Sequence, residues 1–129
     1  MSFGKAISAG FINYFNFSDR ACRSEFWYWV LFCNVVSLAL FGIDAALLHN
    51  HLLLTVFMIA TWFPNLAIGV RRLHDLDASG WWTLLGFIPI LGIIALWIWF
   101  SFKGTEGRNR FGGDPLEPSL PNQQFGVAA

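Results

Sequence analysis

Seven consecutive residues, Arg71-Arg72-Leu73-His74-Asp75-Leu76-Asp77, hold the densest set of chemically capable side chains in this 129-residue chain. Two guanidinium groups, an imidazole and two carboxylates could do three kinds of chemistry. Arginine forks grip phosphate oxygens in pairs, so Arg71 and Arg72 could seat an anionic lipid head group. His74 could act as a general acid or base oriented by a carboxylate, but no nucleophile accompanies it. The third account is structural: the arginines anchor a helix at the head groups, Asp75 and Asp77 pair with them, and Ser79 caps the next helix. On a helix Arg71 and Arg72 diverge by about 100°, while Arg71 shares a face with His74 and reaches Asp75.

Arg20 and Arg23, with Asp19 and Glu25, form a second group just ahead of the first apolar stretch. Placed opposite the Arg71 cluster, they give four arginines and four carboxylates at one level, a self-compensating collar to which anionic lipid would be an addition. Asn34 and Asp44 lie inside apolar sequence. An intramembrane carboxylate is a functional candidate by default. Asp44, however, falls four residues before Leu48, where water, His49 or His51 can solvate it. Asn34 and Ser37 could hydrogen-bond across helices, and Gly42 with Ala46 could allow close helix contact in the bundle or a dimer. His49-Asn50-His51 lacks the spacing of a metal site, so no metal or cofactor is expected. Cys22 and Cys33 stand eleven residues apart, the second well inside apolar sequence, which argues against a disulfide between them.

The elements that must position these groups follow from composition. Apolar residues make up 56% of the chain and charged residues 12%, with zero net charge, so nothing resembles a nucleic-acid-binding field. From Phe26 to Val70 the only charge is Asp44, and from Ala78 to Phe102 there is none. A hydrocarbon core about 30 Å thick needs roughly 20 apolar residues in helix. Three stretches meet that demand: residues 27–48, 52–70 and 81–102. Trp27, Tyr28 and Trp29 mark one boundary, and Trp81, Trp82, Trp97 and Trp99 mark others, as interfacial aromatic belts do. The fold expected is an all-α membrane protein of three transmembrane helices in residues 26–102. A polar, partly loose tail follows over 103–129. Ahead of the spans, within residues 1–25, Phe3, Ile7, Phe11 and Phe15 recur every four residues. That is the stripe of an amphipathic helix, lying in the membrane interface or folded back on the bundle. No cleavable signal peptide is expected, since this segment has no uninterrupted apolar core.

Lys5, Arg20 and Arg23 before the first span, and Arg71 and Arg72 after the second, place the amino terminus in the cytoplasm by the positive-inside rule. Three complete spans then put Lys103, Arg108 and Arg110 outside, against the same rule. The alternative is a third segment broken at Gly86, Pro89 and Gly92 into a re-entrant hairpin, which returns the tail to the cytoplasmic face. Three spans are the first expectation and the hairpin the second.

The sequence also resembles a family of small bacterial inner-membrane proteins, the domain of unknown function 805. The resemblance rests on Tyr14-Phe15-Asn16-Phe17-Ser18-Asp19-Arg20, Arg23-Ser24-Glu25-Phe26-Trp27, and Pro64 before Arg71-Arg72-Leu73-His74-Asp75. It continues through Ser79-Gly80-Trp81-Trp82 and through Gly104, Gly107, Asn109, Arg110, Phe111, Gly112, Asp114 and Pro115. Asp19 stands where the family pattern has Gly, and Phe111 where Tyr is usual. The resemblance implies a polytopic inner-membrane protein without an established activity. It further implies that the Arg20, Arg71 and Asn109 motifs act as a set, which requires the tail to meet the collar. Taken together, the expectation is a non-enzymatic structural or interaction module whose partners are membrane lipids, with a homo-oligomer or another membrane protein as a further partner. Arg20, Arg23, Arg71, Arg72, His74 and Arg110 would engage anionic head groups, with Asp75, Asp77, Ser79 and Asn109 as structural partners. The competing expectation is a subunit of an oligomeric small transporter or channel.

Overall fold

Regular recurrence of apolar side chains gives the helices found within residues 2–116, the part of the chain that a computed structural model describes. The segment 117–129, read above as the end of a loose tail, lies outside the described residues. Helix α1 (Phe3–Ile12) begins where the Ser2 hydroxyl accepts from the Lys5 amide. It folds against α2 (Arg23–Ile43) through Ala6 and Gly10, both buried. The Trp29 indole covers Gly10 so closely that a Cβ there would collide with it. Phe3 meets Tyr28 edge-on, and Phe11 meets Trp29 and Phe32. Helix α1 therefore packs on the bundle, with Phe11 and Ile12 left exposed.

Helix α2 continues through one wide π-helical turn, Asp44–Leu48, and reverses through His49 (φ 52°) into α3 (Leu52–Asp75). The first four amides of a helix have no partner inside it, and hydrocarbon offers none outside. Here three are answered from the preceding segment. Asn50 Oδ1 takes the Leu52 amide at 2.9 Å, and Asp44 Oδ1 and Oδ2 take Leu53 and Leu54 at 3.1 and 2.9 Å, before the His51 carbonyl takes Thr55 at 3.0 Å as the first helical bond. Asp44 is thus solvated by the start of α3 rather than by water or the flanking histidines, and it is 0% exposed. A carboxylate there also meets the positive end of the helix dipole.

Pro64 sits inside α3 without ending it. Proline has no N–H, so the carbonyl four residues earlier, on Ala60, loses its helical donor. The Tyr14 hydroxyl donates to that carbonyl. Phe15 packs on Phe63 beside it, which ties the segment after α1 to the middle of α3.

Helix α3 runs five residues past the expected end of the second span and carries the Arg71–Asp75 cluster on its last turn. It stops at Leu76 because Asp77 adopts the left-handed conformation (φ 57°), with the Asp77 amide bonded to the His74 carbonyl and the Ala78 amide to the Leu73 carbonyl. Arg23–Leu48 and Leu52–Asp75, 26 and 24 residues with mean hydropathies of 2.1 and 1.8, are long and apolar enough to cross a membrane. The fold is all-α and membrane-spanning.

The expectation of a third complete span over 81–102 is corrected. That stretch forms a 3-10 helix (Gly80–Phe87), a turn at Ile88–Ile90 in which Ile90 has φ 64°, and α4 (Leu91–Phe100). The arms are about 16 and 15 Å long at their respective rises, half a bilayer each. Pro89 turns the chain, and Gly92 lets the arms close: a Cβ there would collide with the Leu85 carbonyl. The hairpin descends along α3, returns along α2, and ends with Phe100 against Phe26. Its two ends therefore lie with the start of α2 and the end of α3. The core, Ala21, Phe26, Trp29, Ile68, Leu73, Ala78, Leu96 and Phe100, gathers at that same end.

Two measurements check this arrangement. Compartment-sensitive reporters fused before Ser2 and after Ala129 should read the same side of the membrane; opposite sides would require a third span. Tyr14→Phe should cost about 1–3 kcal/mol by leaving the Ala60 carbonyl unsatisfied. In the Pro64→Ala background, where an amide returns to that carbonyl, thermal unfolding in detergent should show most of that cost gone.

Candidate functional site

Three arginines and two carboxylates meet where α2 begins and α3 ends, and all five are buried: Arg20, Arg71, Arg72, Glu25 and Asp75. Asp75 is the shared member. Its Oδ1 accepts from Arg20 Nε at 3.0 Å, with Arg20 Nη2 at 2.9 Å, and its Oδ2 accepts from Arg72 Nη1 at 2.5 Å. Arg71 turns across to α2, donating from Nη1 to Glu25 Oε1 at 2.7 Å. The expected reach of Arg71 to Asp75 is not made; Arg72, three residues before Asp75, takes that place.

Two carboxylates leave this group one positive charge in excess, and backbone carbonyls meet it. Arg72 donates to the carbonyls of Ala21 at 3.3 Å, of Phe100 at 3.0 Å and of Phe102. The last two lie at the end of α4, the negative pole of its dipole. Arg20 donates to the carbonyls of Thr105 (2.5 Å), Gly107 (2.7 Å) and Gly112 (3.2 Å). Every guanidinium nitrogen of Arg20 and Arg72 is engaged within the chain. Arg71 differs: its Nε and Nη2, the paired edge of the fork, are buried without a partner among the described residues.

These bonds lock residues 103–112 onto the end of α3. The Thr105 amide donates to the Asp75 carbonyl at 2.7 Å, and Asn109 Nδ2 to the His74 carbonyl at 2.8 Å. Gly104 lies so close that a Cβ would collide with the Asp75 carboxylate. His74 stacks on Phe111 with ring centroids 4.0 Å apart and planes 5° from parallel, and the Arg110 guanidinium covers Phe111 at 4.8 Å. Arg110 also pairs with Asp77 at 3.3 Å. Beyond this, Asp114 accepts from the amides of Leu116 and Gly107, which hold its carboxyl below the usual carboxylate range.

The residues picked out by sequence thus separate into groups. Arg20, Arg71, Arg72, His74, Asp75 and Asn109 come together. Asp77 pairs with the exposed Arg110, a long-range partner rather than a neighbour on its own helix. Ser79 caps the 3-10 helix, accepting from the Trp81 amide at 3.4 Å. Arg23 is exposed and reaches the Ser101 carbonyl at 3.4 Å. Asp19 is exposed and accepts from Asn16 rather than an arginine, and it needs no left-handed backbone, so aspartate fits where the family pattern has glycine. Asn34 bonds back to the Val30 carbonyl of its own helix at 2.8 Å. The bond across α2 and α3 is instead from Trp29 Nε1 to Asn65 Oδ1 at 2.7 Å, which sequence reasoning missed. Glu25 was seen only as a countercharge. Its specific pairing with Arg71, 46 positions away, had no local signal.

Asp75→Asn would keep the shape of this centre and remove the charge that two buried guanidiniums share. Breaking a buried pair in this way costs about 3–5 kcal/mol. The expected result is a large fall in thermal stability together with rapid protease cleavage in the 103–112 segment. An unchanged cleavage pattern would mean that Asp75 does not hold the tail.

Comparison with known proteins supplies the remaining findings. The family model described as "Protein of unknown function (DUF805)" matches residues 14–113, an interval that contains every residue of the arginine cluster and of the tail lock. The "Inner membrane protein YhaI" of Escherichia coli (strain K12) is 42% identical over 104 residues, 80% of this chain and 88% of that protein. The "Inner membrane protein YhaH" of the same strain is 38% identical over 113 residues, 82% of this chain and 93% of that protein. The "Uncharacterized protein YiiR" of that strain is 26% identical over 125 residues, 78% and 86% of the respective chains. No solved structure matches.

Proposed function

Because this chain belongs to the DUF805 family, whose description assigns no activity, we propose a function from its geometry: a non-enzymatic structural or interaction module that engages anionic lipid head groups with its amino terminus in the cytoplasm. It is a bacterial inner-membrane protein, similar to YhaI and YhaH. The observation that carries the proposal is the division of labour among its cations at one level of the fold. Arg20 and Arg72 are buried and engaged, and Arg71 is buried beside Glu25; these build the collar. Arg23, Arg108 and Arg110 stay exposed, as do Lys5 and Lys103. Lys103 is paired with Glu106 and Arg110 with Asp77. A rim of exposed guanidiniums at the cytoplasmic membrane surface attracts anionic lipid at about 1 kcal/mol per side chain. The expected lipid role of Arg20, Arg71 and Arg72 then becomes indirect: they fix the frame on which the exposed arginines stand.

His74 is placed for stacking on Phe111 and for anchoring the loop before α2, its Nδ1 donating to the Ser18 and Asp19 carbonyls rather than to an orienting carboxylate, which supports a non-enzymatic reading. The channel or transporter alternative has less support, since two full-length helices enclose no pore without further copies.

The test is native mass spectrometry of protein released from mixed phosphatidylglycerol and phosphatidylcholine membranes. Arg23→Gln with Arg110→Gln should lower the retained phosphatidylglycerol by about thirtyfold, in keeping with roughly 1 kcal/mol for each arginine. Retention equal to that of the unsubstituted chain would remove the lipid role.

A further inference from the structure

Between α3 and the 3-10 helix lies a groove of about 640 Å3, within the roughly 300–1,000 Å3 of small-molecule sites. Its walls are apolar along most of their length: Trp62, Leu66, Val70, Trp81, Leu84 and Phe87. Its upper end is different. There His74 and Ser79 line it, with Phe111 of the tail alongside.

The hydrogen bonding of His74 fixes what this end offers. Nδ1 stands 3.0 Å from the Asp19 carbonyl oxygen and 3.2 Å from that of Ser18, both acceptors, so Nδ1 carries a proton and donates it. The other nitrogen, Nε2, lies at the Ser79–Gly80 turn, 3.6 Å from where a Cβ on Gly80 would stand, and Val70 packs against that glycine so closely that a Cβ would collide with it. The Ser79 oxygen accepts from the Trp81 amide, which leaves its own proton to donate. An otherwise apolar groove is therefore lined by both an imidazole, whose Nδ1 is already committed, and a hydroxyl donor. A carboxyl group complements that pair: it shares one proton with Nε2, whichever of the two carries it, and its second oxygen accepts from Ser79.

We propose that this groove binds a long-chain fatty acid, the hydrocarbon chain lying between α3 and the 3-10 helix and the carboxyl group meeting His74 Nε2 and the Ser79 hydroxyl. A phosphodiester fits the same end poorly. It has no proton to share with Nε2, and the buried Arg20 and Arg72 guanidiniums are engaged in the collar. The site uses neither Arg23 nor Arg110, so it stands or falls separately from the lipid-rim function.

Dibromostearic acid is a suitable probe, because bromine quenches indole fluorescence on contact and Trp62 and Trp81 line the groove. With the full chain in phosphatidylcholine nanodiscs, quenching should saturate and should shrink in Trp62→Phe with Trp81→Phe. Leu84→Trp, at a half-exposed position that tolerates bulk, should fill the groove and weaken binding by about tenfold or more. Ser79→Ala should weaken it by roughly threefold to tenfold, as expected for one lost hydrogen bond. Quenching that fails to saturate, or that Leu84→Trp leaves unchanged, overturns the proposal. So does equal quenching by dibrominated phosphatidylcholine at the same concentration, which would make the groove a general bilayer contact.

Discussion

One carboxylate held between two guanidiniums, out of contact with water, is the interaction on which this structure depends. Asp75 neutralises one of its two partners, and the second charge must be met by something else. The chain supplies carbonyl oxygens from the end of α4 and from the segment after it, which explains why those residues return to the end of α3. Removing water raises the cost of any unpaired charge and equally raises the value of each well-placed dipole. The tail is therefore bound by electrostatic necessity, with few apolar contacts of its own.

The same shortage of alternative partners organises the rest of the fold. In hydrocarbon every amide and carbonyl must find its complement inside the protein. Asp44 completes the first turn of α3, Tyr14 meets the carbonyl that Pro64 orphans, and Trp29 meets Asn65. In each case a side chain from one element satisfies a polar group of another, so hydrogen bonding fixes the packing of α1, α2 and α3 that nonspecific apolar contact would leave free to slide.

Sequence patterns made the two long helices legible because twenty apolar residues in a row have few other uses. The re-entrant hairpin was legible as an alternative, from Gly86, Pro89 and Gly92 and from basic residues that three spans would strand. Counting apolar residues alone chose the wrong topology there, since 81–102 is long enough to span and length carries no information about a turn. The convergence of Arg20, Arg71 and Asn109 was legible through family resemblance, and Ser79 as a cap through local spacing. The pairings themselves were not. Helix-face rules favoured Arg71 with Asp75, whereas the partners turned out to be Glu25 for Arg71, Arg20 and Arg72 for Asp75, and Arg110 for Asp77. Rules for residues three or four apart cannot rank contacts made across a bundle, where the path of the loop before α2 decides who meets whom. Asp44 shows the same limit: its position near a helix end was readable, but the neighbouring helix start that it serves was not.

The half-depth hairpin gives the molecule unequal cross-sections. Near the collar, α1, α2, α3 and both hairpin arms share the plane; beyond the turn at Pro89 only α2 and α3 continue. With α2 and α3 set across a bilayer, this shape displaces more lipid area from one leaflet than from the other. Several copies gathered in one patch would accordingly bias that patch toward curvature, with the broad side on the convex face.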